Sequence, residues 1–196
     1  MDDWWNRNAA TRSGDLLAWL GDVTAMSRAV MREHVMQRGY HSLLDVGCGP
    51  AIDREGFANL RYPLDYHGVD QCEMFVAKAR ERNLQVQVST TDSLPFPPQF
   101  FDVAYCRHVL EHLAEPEPTI AEMLRVAKRE VIVTFFLPPG VADELQGNSD
   151  DGCMLYHNRW SERRICTALW ANPRVTRVRF RPVNEESMLF VELSDA

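Results

Sequence analysis

Three short segments carry residue types that could grip a nucleoside. Leu43-Leu44-Asp45-Val46 is an apolar run that ends in Gly47-Cys48-Gly49-Pro50. Glycines after a buried strand let the backbone turn sharply and a ligand approach closely, because no side chain intervenes. The helix N-terminus expected to follow favours a carboxylate or phosphate. Asp70 closes Gly68-Val69-Asp70, 21 residues after Gly49, where a carboxylate can accept hydrogen bonds from two ribose hydroxyls. Asp92, in Asp92-Ser93-Leu94, can accept a hydrogen bond from an adenine amino group. A glycine turn alone says little, but three such sites after successive strand-like segments describe a nucleoside crevice. Ile52 occupies the sixth position of the turn, where G-x-G-x-x-G/A dinucleotide motifs need a small residue. No G-x-x-x-x-G-K-[ST] phosphate loop occurs either. A ligand with ribose and adenine but no phosphates fits best.

The elements that must position these groups follow from periodicity. Apolar residues from Leu16 to Val35 fall at helical spacing, with Ser13 or Asp15 available as a cap. Beyond a Gly39-Tyr40 break, strand-like and helix-like segments alternate. Ser42–Val46, Tyr66–Val69, Gln85–Val88, Phe101–Cys106 and Glu130–Phe136 read as strands. Glu73–Arg82 reads as a helix with Met74, Val76 and Ala77 inward, and Pro118–Ala127 as another. Such alternation is the pattern of a parallel sheet covered by helices. The end differs: a helix at Ser161–Trp170 precedes Val175–Arg181 and Ser187–Leu193, separated only by Pro182-Val183-Asn184-Glu185-Glu186. The expectation is an α/β, Rossmann-like doubly wound sheet, mostly parallel, closed by a C-terminal antiparallel hairpin. It would be one domain over 1–196, with a helical cap or lid at 1–40 and the core at 41–196. Asp143–Gly152, acidic and polar, reads as a loop able to gate the site.

Bulk properties narrow the classes. Hydrophobic residues make up 45% of the 196 and charged residues 25%, an ordinary globular balance. No run of about 18 apolar residues occurs, so no membrane span is expected. Five scattered cysteines without a C-x-x-C pair point to reduced thiols in a cytoplasmic protein, with neither a disulfide framework nor a metal site. The net charge of −7 offers nucleic acid no general attraction, which makes such a partner unlikely. Oligomeric state is not readable.

In order and spacing, Leu43–Pro50, Gly68–Gln71, Thr91–Phe96, Phe101–Leu113 and Glu130–Phe136 resemble the motifs of class I S-adenosylmethionine-dependent methyltransferases. The likeness is strongest to the small-molecule branch with D-V-G-C-G and V-L-E-H signatures, and it covers roughly residues 40 to 136. It implies S-adenosylmethionine as methyl donor, S-adenosylhomocysteine as product and a small-molecule acceptor. By the resemblance, Asp45, Gly47, Cys48 and Gly49 hold the methionine end and Asp70 the ribose. Gln71 flanks the adenine, Asp92 and Ser93 bind its edge, and Leu94 packs on its face. Cys106 and Arg107 lie beside the transferable methyl group. Ala51 departs from the family, which often has a third glycine there.

Methyl transfer from a sulfonium needs mainly alignment and exclusion of water, and a base only where the acceptor must lose a proton. In Arg107-His108-Val109-Leu110-Glu111-His112, His108 lies just past the fourth strand and could be that base. The plainer reading puts His108 and His112 on one helix face with local hydrogen bonds, and Glu111 could orient either. Tyr156 and His157, in Tyr156-His157-Asn158-Arg159-Trp160, could line the acceptor pocket or simply pack on the core. Trp4 and Trp5 could belong to a lid or anchor the first helix. Arg177, Arg179 and Arg181 alternate with Val178 and Phe180, as the solvated face of a strand does without further function. Two alternatives remain: methylation of a protein or RNA, and a non-catalytic S-adenosylmethionine-binding subunit.

Overall fold

The computed structural model describes residues 4–9, 25–150 and 153–194. The N-terminal part contributes helices α1 (Trp4–Ala9) and α2 (Met26–Gln37). Strand and helix then alternate through β1 (Ser42–Val46), α3 (Ile52–Asn59), β2 (Asp65–Asp70), α4 (Glu73–Glu81) and β3 (Gln85–Val88). Next come β4 (Phe101–Arg107), a 3-10 turn at Leu110–His112, α5 (Glu117–Val126) and β5 (Ala127–Phe135). A small hairpin, β6 (Gly147–Asp150) and β7 (Cys153–Tyr156), precedes α6 (Glu162–Trp170), β8 (Val175–Val183) and β9 (Glu186–Leu193).

Seven strands form one sheet in the order β3-β2-β1-β4-β5-β9-β8. The first five are mutually parallel, while β9 runs antiparallel to β5 and β8 antiparallel to β9. The strand order reverses between β1 and β4, where open α/β sheets leave a crevice beyond their carboxyl ends. Helices cover both faces. Ala104 and Cys106 of β4 pack with Leu124, Trp160 and Leu169 on one side. Val103 and Tyr105 pack with Met31, Val35, Phe57 and Val76 on the other. Among the described residues no helix is long and apolar enough to cross a membrane, and no group of His, Cys, Asp or Glu could hold a metal ion.

Several local readings of the sequence change. The inward face of α4 is Phe75, Val76 and Ala79, whereas Ala77 is exposed and Met74 half-buried. The three- and four-residue steps from buried Cys72 select that face. The expected loop at Asp143–Gly152 instead contains β6, which pairs with β7 from Gly147↔Tyr156 to Asp150↔Cys153, and Glu144 bridges Arg159. Backbone pairing away from the main sheet needs no alternation of apolar residues, so the sequence pattern does not announce it. Residues 151 and 152 lie outside the described residues. So do Ser13, Asp15 and the first part of the expected Leu16–Val35 helix, of which α2 is the described end. The last turn is tighter than its five-residue reading. Pro182 and Val183 continue β8, Glu186 begins β9, and Asn184 takes the left-handed conformation that asparagine tolerates (φ +54°). Arg177, Arg179 and Arg181 are exposed on β8 while Val178 and Phe180 pack on the core.

Candidate functional site

A cleft opens beyond the carboxyl ends of β1, β2 and β4. It holds about 900 Å³ of empty space, the open solvent at its mouth included. The glycine turn forms one wall. The N–H groups of Gly47 and Cys48 both donate to the Val69 carbonyl at 2.8 and 2.9 Å, which ties the turn to β2. Gly47 has φ +73° and Gly49 φ +53°. A Cβ at Gly47 would lie 2.4 Å from Val109 Cγ2, so glycine is required there twice over, by dihedral and by space. Ala51 is also left-handed, at φ +58°, and fully buried. Asp70 is held by two backbone donors, Gly49 N at 2.7 Å to Oδ2 and Cys72 N at 2.8 Å to Oδ1. Burial pushes its pKa up and these two bonds pull against that. Each carboxylate oxygen keeps acceptor capacity for a ligand.

Beneath the turn lies a set of buried ionisable groups. Arg28 of α2 donates to Asp53 in the first turn of α3, and Arg32 stands 3.7 Å from the same carboxylate. Gly56 of α3 makes room for Arg32, since a Cβ there would meet its Cδ at 2.7 Å. Asp45 accepts from the Tyr66 hydroxyl at 2.6 Å. Burial, and then the neighbouring Asp53 charge, raise the pKa of Asp45, while Tyr66 and Arg28 oppose them. Arg28, Asp45 and Asp53 all face the cleft.

The third wall follows β4. Arg107 ends the strand, and His108 takes φ +56°, a costly conformation for a residue with a side chain. Arg107 Nη2 donates to Glu186 Oε1 at 2.7 Å, and His108 Nε2 lies 2.5 Å from the same oxygen. Burial raises the Glu186 pKa, but the His108 hydrogen bond and the Arg107 charge outweigh it and hold the group at about 2. Burial lowers the His108 pKa, with Arg107 adding to that and Glu186 opposing it. The pair is therefore a carboxylate accepting from a neutral imidazole. His112 Nδ1 lies 2.7 Å from the Tyr156 carbonyl, and burial lowers its pKa to about 4. A neutral ring facing a carbonyl donates from Nδ1, which leaves Nε2 as an acceptor.

His108 and His112 thus do not share a helix face, because the left-handed step at His108 precedes the 3-10 turn. Glu111 orients neither histidine. It is fully buried and accepts from Phe136 N at 2.6 Å and Leu137 N at 3.3 Å, pinning the end of β5.

Of the residues singled out from sequence, Asp45, Gly47, Cys48, Gly49, Asp70, Gln71, Arg107 and His108 meet around the cleft. Cys106 does not. Side chains alternate along a strand, so Cys106 points into the core opposite Arg107. Leu94 is likewise in the core, its N–H bonded to Glu122 and its carbonyl to Arg125 of α5. Asp92 and Ser93 are exposed, and their neighbour Thr91 lines the cleft instead. Tyr156 and His157 stay off the cleft and support it. The Tyr156 carbonyl holds His112, the His157 ring packs 5.1 Å from that of His112, and Asn158 and Trp160 bond Leu113 and Leu110. Trp5 lines the cleft, and α1 is docked on α4 by Asn6, which bonds Gln71 O and Glu73 N. Sequence reasoning missed Arg28, Asp53, Phe75, Thr91 and Glu186. Arg28 and Arg32, four apart on a face with Met31 and Val35, were the available signal for the first two.

Residues 44–135 match the family model described as a methyltransferase domain. The chain is 30% identical over 111 residues to the uncharacterized methyltransferase YcgJ of Bacillus subtilis (strain 168), covering 52% of this chain and 43% of that one. It is 34% identical over 100 residues to a ubiquinone biosynthesis O-methyltransferase of Azoarcus sp. (strain BH72), covering 47% and 42%. The chain spans less than half the length of these curated relatives. Its fold is similar to that of magnesium protoporphyrin IX methyltransferase from Synechocystis PCC 6803 with bound SAH, with TM-score 0.71 and 16% identity over 98% of each chain. It is also similar to an SAM-bound amino pentose methyltransferase from Micromonospora echinaspora, with TM-score 0.68 and 14% identity over 90% and 95%.

Proposed function

We propose that the chain is a methyltransferase that moves a methyl group from S-adenosylmethionine to an oxygen, nitrogen or carbon of a small molecule, a reading supported by the match of residues 44–135 to the methyltransferase-domain model and by the fold shared with an SAH-bound neighbour. The observation that carries the reading is the meeting of the glycine turn, the doubly anchored Asp70 and Arg28 in one cleft.

The residues present fit the donor. Asp70 keeps lone pairs for a ribose diol. Asp45 and Arg28 offer a carboxylate and a guanidinium to the ammonium and carboxylate of a methionine. Phe75 and Ile52 give apolar surface for an adenine, flanked by Gln71. The proposed binding set is Asp45, Gly47, Cys48, Gly49, Asp70, Gln71 and Arg107, joined by Arg28, Phe75 and Thr91. Asp92 and Ser93 remain in it as the exposed neighbours of Thr91. His108 is the proposed base, and Tyr156 and His157 serve the acceptor side through His112. Trp5 on the cleft supports the view of residues 1–40 as a cap on the core at 41–196. A cytoplasmic setting belongs to the same proposal, supported by four free cysteines among the described residues.

Calorimetric titration with S-adenosylmethionine and S-adenosylhomocysteine tests the reading. Micromolar binding of both is expected, followed by transfer of labelled methyl to members of a small-molecule panel. No binding of either, or micromolar binding of a nicotinamide dinucleotide instead, overturns the assignment.

A further inference from the structure

We infer that the outer edge of β8 docks an extended acidic segment of a partner protein, read by Arg177, Arg179 and Arg181. The inference is independent of the methyltransferase reading, since none of these residues lines the cleft. β8 is the last strand of the sheet, and among the described residues no strand pairs with its outer side. Its pairing with β9 shifts register between Val175 and Arg177, and Pro182 has no N–H to offer. Between these two interruptions, Arg177 to Arg181 is regular strand with backbone donors and acceptors on its open side. The three arginines alternate with Val178 and Phe180, which pack on the core. They therefore share the opposite face, at intervals of roughly 7 Å along the strand.

The chain itself does little to neutralise this stripe. Arg177 stands 3.8 Å from Glu192, which Arg38 already holds at 2.6 Å, and Arg179 lies over the Phe190 ring at 5.1 Å. Among the described residues no carboxylate pairs with Arg179 or Arg181. The other carboxylates of the hairpin are placed elsewhere: Glu186 is held by Arg107 and His108, and Glu185 lies in the turn beyond Pro182. By contrast Arg164 is bound to Glu117 and Asp143, and Arg174 to the carbonyls of Leu124, Ala127 and Lys128. The stripe also runs against a net charge of −7.

Each class of occupant fits this edge differently. A second copy paired about Arg179 would set arginine opposite arginine, and like charges directly opposite are destabilising. A nucleic-acid strand would find cations but no platform for its bases, because none of the exposed large apolar side chains belongs to β8 or β9. A membrane would have nothing apolar there to take up. A polypeptide strand with Asp or Glu at alternate positions satisfies both features at once. Its main chain extends the ladder, and its carboxylates fall opposite the arginines at the same spacing. Arg181 pairs with Met188, two residues after Glu186, so the docking edge runs to the end of the sheet where Glu186 meets Arg107 and His108.

Fluorescence anisotropy with the full chain tests this. The probes are a labelled nonapeptide with Glu at alternate positions among Thr and Val, an isomer with its Glu in one block, and an oligouridylate of equal charge. The alternating peptide should bind, weaken with added salt, and exceed the block isomer by roughly tenfold. On binding, amide hydrogen exchange should slow across Arg177–Arg181. Arg177→Gln, Arg179→Gln and Arg181→Gln together should weaken the alternating peptide by roughly tenfold, the sum of three exposed ion pairs. Arg177→Lys, Arg179→Lys and Arg181→Lys together should retain most of the binding. All three positions are exposed, so both variants should keep the wild-type urea midpoint. No binding of the alternating peptide overturns the inference and leaves the arginines as a guard against self-pairing. Equal binding of the two isomers, or unaltered exchange on β8, overturns the strand geometry. Undiminished binding by the glutamine variant overturns the role of the arginines, and tighter binding of the oligouridylate overturns the class of partner. The comparison of the two peptides needs wild type alone, so it decides the matter whatever the variants do.

Discussion

Gly47→Ala tests the turn at its tightest point. The residue stands at φ +73°, and an added Cβ would meet Val109 Cγ2 at 2.4 Å. Two costs follow. A left-handed alanine is disfavoured by roughly 1–2 kcal/mol, and forcing a methyl group into a filled space costs about 1–3 kcal/mol. The sum, about 2–5 kcal/mol, is a large part of an ordinary domain's stability. Val109→Ala in the same chain removes the atom that clashes but leaves the dihedral untouched. A double-mutant cycle, read by urea denaturation, should therefore return about 1–3 kcal/mol of favourable coupling and leave about 1–2 kcal/mol unrecovered. Calorimetry with S-adenosylhomocysteine should show weakened binding in Gly47→Ala and partial recovery in the double variant. Additivity within about 0.5 kcal/mol would refute the steric argument, and wild-type stability and affinity in Gly47→Ala would refute the dihedral one as well.

Three further outcomes are expected. Asp70→Ala removes the acceptor proposed for the ribose and the two bonds that anchor Gly49 and Cys72. At about 1.5–3 kcal/mol per charge-assisted bond, calorimetry should show a loss of at least tenfold in affinity for S-adenosylhomocysteine, and unchanged affinity would place the ribose elsewhere. His112, held near pKa 4 by burial, stays neutral while an unfolded histidine protonates near 6.5. Its stabilising share is present above pH 6.5 and lost as pH falls through 4, up to about 3 kcal/mol. His112→Gln should flatten that limb of the stability curve, and an identical limb in wild type and variant would exclude His112 as its source. Glu111 runs the other way. Burial raises its pKa to about 7, so its share is full below pH 4.5 and declines as pH rises through 7. Glu111→Gln, which keeps an acceptor for Phe136 N, should gain on wild type by up to about 3 kcal/mol across that window, and a constant difference would show that Glu111 does not titrate there.

What could be read from the chain is what depends on local spacing. The apolar run before Gly47-Cys48-Gly49 specifies a buried strand and a turn, and the helices between strands force parallel pairing. The unbroken step from Val175 to Leu193 can only fold back as a hairpin. Asp70 was readable because it ends a strand beside the turn, a position that topology alone determines. Glu186 was not, because its partner His108 lies 78 residues away and nothing local distinguishes it from a turn residue. Arg28 and Asp53 are 25 apart and on different helices. Each looks like an ordinary surface charge until the two helices meet. The hairpin at Gly147–Tyr156 went unread for another reason: its first strand, Gly147–Asp150, is polar throughout and its second, Cys153–Tyr156, is only four residues long.

The charged residues that escaped the sequence pattern share a location. Arg28, Asp53 and Glu186 come from α2, α3 and β9, and they meet Asp45 of β1 and Arg107 of β4 on one face of the sheet below the turn. The opposite face of β4, with Ala104 and Cys106, packs into a large apolar cluster, where Glu111 is buried as the carboxylate that pins the end of β5. Buried ions are expensive and are kept only when paired, so stability alone would have favoured apolar residues on both faces. Here the pairs sit where the strand order reverses, next to a histidine with left-handed backbone. Departures from the local rules of burial and conformation concentrate where a chain does chemistry. The contrast between the two faces of one strand therefore argues, independently of any motif, that the reacting groups meet at the carboxyl ends of β1 and β4, on the side of α2 and α3.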